Sequence, residues 1–281
     1  MPGADFVDVL CIGSGSAGLA VGVAGAQAGL NVFVAEPTPE VTAPAASSVE
    51  SWLTVLQRRW GADELNSATI NYLEQLTSSL GPPAPIRASG HLRVDTVETF
   101  IGADVDPTGP VPPFHGAELA RWARECLTSP FGMIFSRVSS SALTPVCKVD
   151  GTTVNAGLIA SAPRARRRET TVRQWLSELA RENGVEVHRP CSIQRLLFSD
   201  GQLVGAQLDT PDGVRSVRAR RRVVLGTSSS TVDDGLCISP TASGGDIRLC
   251  TVGRTASRFA RLEFLLSAAS YSACAAAGRL A

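Results

Sequence analysis

Three glycines stand in the order Gly13-Ser14-Gly15-Ser16-Ala17-Gly18, a spacing suited to a turn wrapped round a diphosphate. Gly13 permits a tight strand-to-helix turn, Gly15 lets the backbone approach a pyrophosphate, and Gly18 lets helix and strand pack closely. The first amides of the following helix, from Ser16 and Ala17 onward, then face the anion. Glu36 lies 18 residues beyond Gly18 (36 − 18), where a carboxylate can accept hydrogen bonds from both hydroxyls of a ribose. A 2′-phosphate would be repelled by that carboxylate, which argues against NADP. The spacing alone leaves FAD and NAD both open.

Those residues need particular elements to hold them. Phe6-Val7-Asp8-Val9-Leu10-Cys11-Ile12 reads as a buried strand, residues 15–29 as an Ala/Val-rich helix, and residues 31–35 as a second strand closed by Glu36. With strand, helix, second strand and acid in this order, the glycine pattern reads as a dinucleotide site rather than a packing turn.

Elsewhere the residues that could do chemistry are scarce. Seven cysteines with no C-x-x-C pair argue against a disulfide framework and a zinc site, and point to reduced thiols in the cytoplasm. His91, His115 and His188 are too scattered for a metal triad, so no metal is expected, and no Ser/His/Asp or Cys/His arrangement stands out. Trp122 and Cys126 have core spacing and receive no chemical role. Arg164-Ala165-Arg166-Arg167-Arg168 and Arg218-Ala219-Arg220-Arg221-Arg222 read as a solvated loop and a solvated strand edge. The 281 residues carry 26 Lys+Arg against 26 Asp+Glu, so no whole-chain field gathers nucleic acid. A small molecule or another protein is the expected partner. No membrane span is expected, because the opening apolar run is short and residues 262–281, read as a buried or docking helix, contain Glu263 and Arg279.

In the middle of the chain, helices are expected over 48–60, 62–80 and 116–127, with short strands and loops over 86–115. Regular structure returns with a helix over 171–182, a strand over 185–188, a meander over 192–199, 203–209 and 214–219, and a buried strand over 222–226. Its turns are Asp200-Gly201 and Asp212-Gly213. The expected architecture is α/β: a discontinuous Rossmann-like dinucleotide domain over 1–45 and 170–281 with a β-meander, interrupted by a reduced inserted α+β cap over 46–169.

The glycine motif with its acid, NGVEV at 183–187, the meander, RRVVLGT at 221–227 and LCTVGRTAS at 249–257 carry a family likeness. Together they resemble FAD-dependent oxidoreductases of the fumarate reductase and succinate dehydrogenase flavoprotein type, and within that group the 3-ketosteroid dehydrogenase-like branch. The resemblance implies noncovalent FAD with its diphosphate over Gly13, Gly15 and Gly18, its ribose on Glu36 and its adenine near the backbone of Val187. It further implies Gly226 and Thr227 beside the adenosine-diphosphate part, and Gly253 with Arg254 near the flavin end. Ser267, Ala268 and Ser270, at the start of a last helix, would face the isoalloxazine.

Three departures from that pattern stand out. Thr227-Ser228-Ser229-Ser230 replaces the family's T-G-G, Leu265 falls where its catalytic tyrosine is expected, and the chain is short for the family. No catalytic residue is therefore assigned. The implied activity is dehydrogenation of a steroid-like or other apolar ketone by hydride transfer to flavin N5. The alternative is a catalytically impaired FAD-binding subunit or regulatory partner in a hetero-oligomeric flavoenzyme, its shortened cap completed by another copy or another chain.

Overall fold

The computed structural model describes residues 5–13, 15–37, 51–60, 62, 65–83, 92–97, 116–138, 143–161, 171–227 and 247–267. The basic run at 164–168, His91, His115, Tyr271, Ala268 and Ser270 lie outside them. The chain opens with β1 (Asp5–Ile12), α1 (Ser16–Gln27) and β2 (Val32–Pro37), then α2 (Trp52–Arg59) and α3 (Ser67–Thr77). It continues through β3 (Val94–Val97), α4 (Gly116–Leu127), β4 (Gly132–Phe135), β5 (Thr144–Cys147) and β6 (Thr153–Ser161). It closes with α5 (Val172–Glu182), β7 (Val187–Ser199), β8 (Gln202–Thr210), β9 (Gly213–Gly226), β10 (Ile247–Gly253) and β11 (Phe259–Ser267). All described strands belong to one 11-stranded sheet.

β1 and β2 pair in parallel from Val9↔Val32 to Ile12↔Ala35. Alternation splits their side chains between two cores. Val9, Cys11 and Val34 meet Ala17, Ala20 and Val23 of α1, while Leu10, Ile12, Phe33 and Ala35 face the opposite way. Burial of both faces is what a parallel strand under a crossover helix requires. The next parallel neighbour of β2 comes late in the chain: α5 leads into β7, which meets β2 at Val34↔Val187. α5 starts on a capping box, with Thr171 Oγ1 accepting from the Gln174 amide at 3.1 Å and Gln174 Oε1 accepting from the Thr171 amide at 2.9 Å. Its apolar stripe, Val172, Trp175, Leu176 and Ala180, is buried.

The meander forms with its first turn as expected, and both Asp200 (φ 49°) and Gly201 (φ 71°) adopt the left-handed conformation that a two-residue hairpin loop uses. The second loop is Pro211-Asp212 rather than Asp212-Gly213, because Gly213 already pairs with Thr210. Two expected breaks are absent. β7 is continuous where strands over 185–188 and 192–199 were expected, pairing first with β2 and then with β8. β9 likewise pairs early with β8 and later with β1 and β4. Each strand exchanges partners without leaving the ladder, so a local interruption in pattern does not end it. The run from Arg218 to Arg222 pairs along β1, and with β8 at Arg218 alone; Arg220 and Arg221 are exposed, with Arg220 stacked over Phe6 and Arg222 over Phe135.

The expected helix over 262–281 is also corrected where the structure describes it. Residues 259–267 form β11, paired with β10 on one side and with β4 and β3 on the other. Ala260, Leu262 and Phe264 enter one core, and Phe259 and Leu265 the other. That is a period of two rather than 3.6. Glu263, a charge inside the stretch read as a helix, is buried as the partner of Arg261, whose Nε donates to Oε1 at 2.7 Å.

α2 and α3 cover the face of β1 and β2 opposite α1. Trp52, Leu56, Trp60 and Leu73 share a core with Leu10, Ile12, Ile193, Leu196 and Leu208. Thr69 Oγ1 ties α3 to β7 by accepting from the Leu196 amide at 3.0 Å. α4 matches its expected range, with Trp122 and Cys126 buried. Among the described residues no helix is long and apolar enough to cross a membrane, and no group of three His, Cys, Asp or Glu could hold a metal ion.

Candidate functional site

The three opening glycines sit where β1 hands over to α1. Gly13 has φ +104°, its amide donates to Ala35 O at 2.9 Å, and a Cβ placed on it would lie 3.3 Å from Gly226 Cα. A Cβ on Gly18 would stand 1.7 Å from Gly13 O, so only glycine lets α1 approach the end of β1 this closely. Gly15 is the N-cap of α1; among the described residues no side chain caps that end, and no acid occupies its first turn. The positive end of the helix, with Ser16 and Ala17 in its first turn, is thus open to an anion rather than closed by a side chain.

Glu36 stands one residue beyond Ala35 and borders a cavity of about 300 Å³ with Leu19, Arg173, Ser177, Val187 and Arg189. The fold therefore brings together Glu36 and Val187, which the sequence keeps far apart. Glu36 is not a lone carboxylate: Oε1 accepts from Arg173 Nη2 at 3.0 Å, and Oε2 lies 3.3 Å from Arg189 Nη1. Each carboxylate oxygen retains a second lone pair for a hydroxyl. The two guanidinium groups remove the net negative charge on which the expected repulsion of a 2′-phosphate rested. The cradle and this cavity fit a dinucleotide: a Cβ would obstruct the glycine turn, and the cavity beside it holds one acid among apolar walls and arginines.

A single register row carries the site across the sheet. Gly13 abuts Gly226, Gly226 pairs with Met133, Met133 with Ala260, and Ala260 with Gly253. Four strand spacings of about 4.8 Å put Gly13 and Gly253 about 19 Å apart. Thr227, fully buried, donates its amide to Gly132 O at 3.0 Å, while its Oγ1 has no hydrogen-bond partner among the described residues. Arg254 follows Gly253 in the β10–β11 turn; its Nε is buried without a hydrogen-bond partner among the described residues, and its guanidinium lies 5.7 Å from the Trp122 ring.

Ser267 does not join this group. It ends β11 opposite Val97 rather than starting a helix, seven residues along the strand from Ala260, the partner of Gly253. At about 3.4 Å per residue that is about 24 Å, too far for Gly253 and Ser267 to face one ring system. Leu265, aligned with the family's tyrosine, is fully buried in the same strand.

Sequence reasoning missed two polar arrangements. The first closes over the end of β9: Trp60 Nε1 donates to Gly226 O at 2.8 Å, and Arg59 Nη1 donates to Thr227 O and, at 3.1 Å, to Leu127 O. The second is an alternating ion chain across β3, β11 and α4. Arg93 pairs with Asp95 at 2.8 Å, Asp95 with Lys148, Lys148 with Glu263 at 2.8 Å, Glu263 with Arg261, and Arg261 with Glu125 at 3.1 Å. Burial alone would raise the Asp95 carboxyl, but the hydrogen bond and charge of Lys148 hold it below the usual carboxylate value. Burial opposes the charge on Arg261, yet Glu263 beside it raises its pKa. The chain borders a polar cavity of about 140 Å³ near Arg254. No sequence pattern signals it, because its members come from four separate stretches, 93–95, 125, 148 and 261–263. His188 is a packing residue: its ring stacks on Phe33 at 3.9 Å, and burial lowers its pKa.

A family model described as DAO, FAD dependent oxidoreductase, matches residues 8–242. No curated protein matches the chain. Among solved structures, the open conformation of a flavocytochrome c3 fumarate reductase is 16% identical with a TM-score of 0.31, over 80% of this chain and 34% of that one. A 3-ketosteroid-Δ4-(5α)-dehydrogenase from Rhodococcus jostii RHA1, in complex with 4-androstene-3,17-dione, is 20% identical with a TM-score of 0.30, over 79% of this chain and 45% of that one. A geranylgeranyl bacteriochlorophyll reductase-like protein from Thermoplasma acidophilum is 12% identical with a TM-score of 0.29, over 96% of this chain and 58% of that one. The chain thus spans between 34% and 58% of the length of these three.

Proposed function

The chain belongs to the FAD-dependent oxidoreductase family, with FAD as its cofactor, and from that premise we propose that it works as a flavoprotein oxidoreductase whose binding residues lie along the glycine row. Gly13, Gly15, Ser16, Ala17 and Gly18 hold the diphosphate, Glu36 the ribose and the Val187 backbone the adenine, with Gly226 and Thr227 beside them. Gly253 and Arg254 stand at the flavin end. The observation that carries this reading is the alignment of Gly13, Gly226 and Gly253 in one row, with the Glu36 cavity beside its first member. The division into a cofactor domain over 1–45 and 170–281 and an insertion over 46–169 is supported by the pairing of β2 with β7 across that insertion. The insertion is built onto the same sheet through β3, β4, β5 and β6.

Bound FAD supplies a two-electron acceptor for hydride. What the chain itself supplies is a row of backbone amides and one carboxylate that orient the cofactor, with α1 and the residues over β9 excluding water from one side. The proposed substrate is a steroid-like or other apolar ketone, in keeping with the motif likeness to the 3-ketosteroid dehydrogenase-like branch, and the proposed location is the cytoplasm. A second reading is supported by the burial of Leu265, which leaves no tyrosine to stabilise a developing enolate. In that reading the chain is an impaired FAD-binding subunit completed by another copy or another protein.

Cofactor extraction from freshly purified protein with mass identification tests the premise: FAD is expected, together with absorbance near 450 nm. Anaerobic addition of a ketosteroid separates the two readings. Bleaching supports the dehydrogenase, and a yellow protein that no ketone bleaches supports the subunit. A colourless protein that releases NAD overturns both.

A further inference from the structure

Arg59 lies at the last position of α2 and is held at the carboxyl edge of the sheet. Its neighbour Trp60 donates to Gly226 O at 2.8 Å, and its own Nη1 donates to the carbonyls of Thr227 and Leu127. Gly226 is in turn the backbone against which Gly13 rests. The carboxyl ends of β1 and β9 and the open N-terminus of α1 therefore converge where Arg59 is anchored, the edge at which α/β sheets receive ligands.

The charge of Arg59 is poorly compensated. The residue retains some exposed surface, yet its guanidinium lies deep enough that burial pushes its pKa down to about 10, with Arg58 adding repulsion. Among the described residues no carboxylate pairs with it; its partners are two carbonyls, one of them at the negative end of α4. A guanidinium has five donors, and only Nη1 is used in these bonds. A buried cation is costly without a counter-charge, and an arginine fork matches phosphate oxygens.

We propose that Arg59 is a diphosphate-binding residue, its Nε and Nη2 donors providing the counter-charge for the dinucleotide while Nη1 stays tied to Thr227 and Leu127. The proposal rests on the FAD reading above and adds to it a cation from a helix that the glycine motif does not contain. It also accounts for the close contact of α2 with the end of β9: the two carbonyls and the Trp60 bond hold the guanidinium beside the cradle rather than letting it turn to solvent.

The test uses the full chain stripped of cofactor, with FAD, ADP and adenosine as probes and equilibrium titration as the readout. In R59Q the ADP-to-adenosine affinity ratio is expected to fall at least tenfold, with FAD affinity falling in parallel and adenosine binding unchanged. An unchanged ratio overturns the proposal, whether all three ligands bind as before or all weaken equally, since equal weakening marks a purely structural clamp. Should R59Q fail to fold, R59K decides: it keeps a charge but loses the fork, so a several-fold lower ratio supports the proposal and an unchanged ratio overturns it. Failure of the native protein to bind FAD at all instead removes the flavoprotein reading beneath it.

Discussion

Arg173 Nη2 donates to Glu36 Oε1 at 3.0 Å, joining α5 to the end of β2 across 137 residues of chain. The acid is thereby oriented by a helix that the insertion separates from the glycine motif. Arg189 on β7 approaches the other oxygen at 3.3 Å, so both elements flanking the cavity beside Glu36 grip the same carboxylate.

Glu36→Ala is expected to weaken FAD by the loss of a charged hydrogen bond, about 1.5–3 kcal/mol, or roughly 10- to 150-fold in Kd. Fluorescence titration of the cofactor-free protein measures it. Unchanged affinity would take the ribose away from Glu36.

Gly18→Ala places a Cβ 1.7 Å from Gly13 O, and a backbone atom at the end of a buried strand cannot move aside cheaply. The variant is expected to lose about 1–3 kcal/mol of stability through overpacking, together with most of its FAD. Gly15→Val is expected to lose FAD while its far-UV circular dichroism and melting midpoint stay close to native. A Gly15→Val protein that is fully yellow would move the diphosphate elsewhere.

Acid sensitivity should run through Asp95. Its carboxyl is held below its unfolded value by Lys148, so the charged form favours the folded chain. That contribution is present in full above the unfolded carboxylate pKa, about 3.9, and disappears as pH falls through the lower folded value. Denaturant midpoints from pH 7 to pH 2 should show the native protein ahead of Asp95→Asn at neutral pH and the gap closing below about pH 4. A gap independent of pH would show that Asp95 contributes through packing alone.

Much of the opening unit is legible in the residues themselves. The strand before Gly13, the Ala-rich helix after it and the acid at 36 follow local rules, because a tight turn, an uncapped helix end and a parallel buried strand each demand residue types within a few positions. The Asp200-Gly201 turn and the Thr171 capping box are equally local. The misread segments share a cause. In β11 the apolar run from residue 262 reads as part of a buried or docking helix until Glu263 is seen to be buried against Arg261 and Lys148, with Arg261 also paired to Glu125. In β7 and β9 the exchange of partners has no local mark.

The sequence by itself determined that a tight glycine turn joins β1 to α1 and which glycines make it, since backbone conformation and the clash of an absent Cβ are properties of neighbouring residues. Only the tertiary structure decided that Glu36 lies between Arg173 and Arg189, that Gly253 shares a row with Gly13 while Ser267 does not, and that Arg59 reaches the end of β9. Register and charge pairing depend on strands and helices that are distant in the chain, and the packing of the whole sheet sets which of them meet.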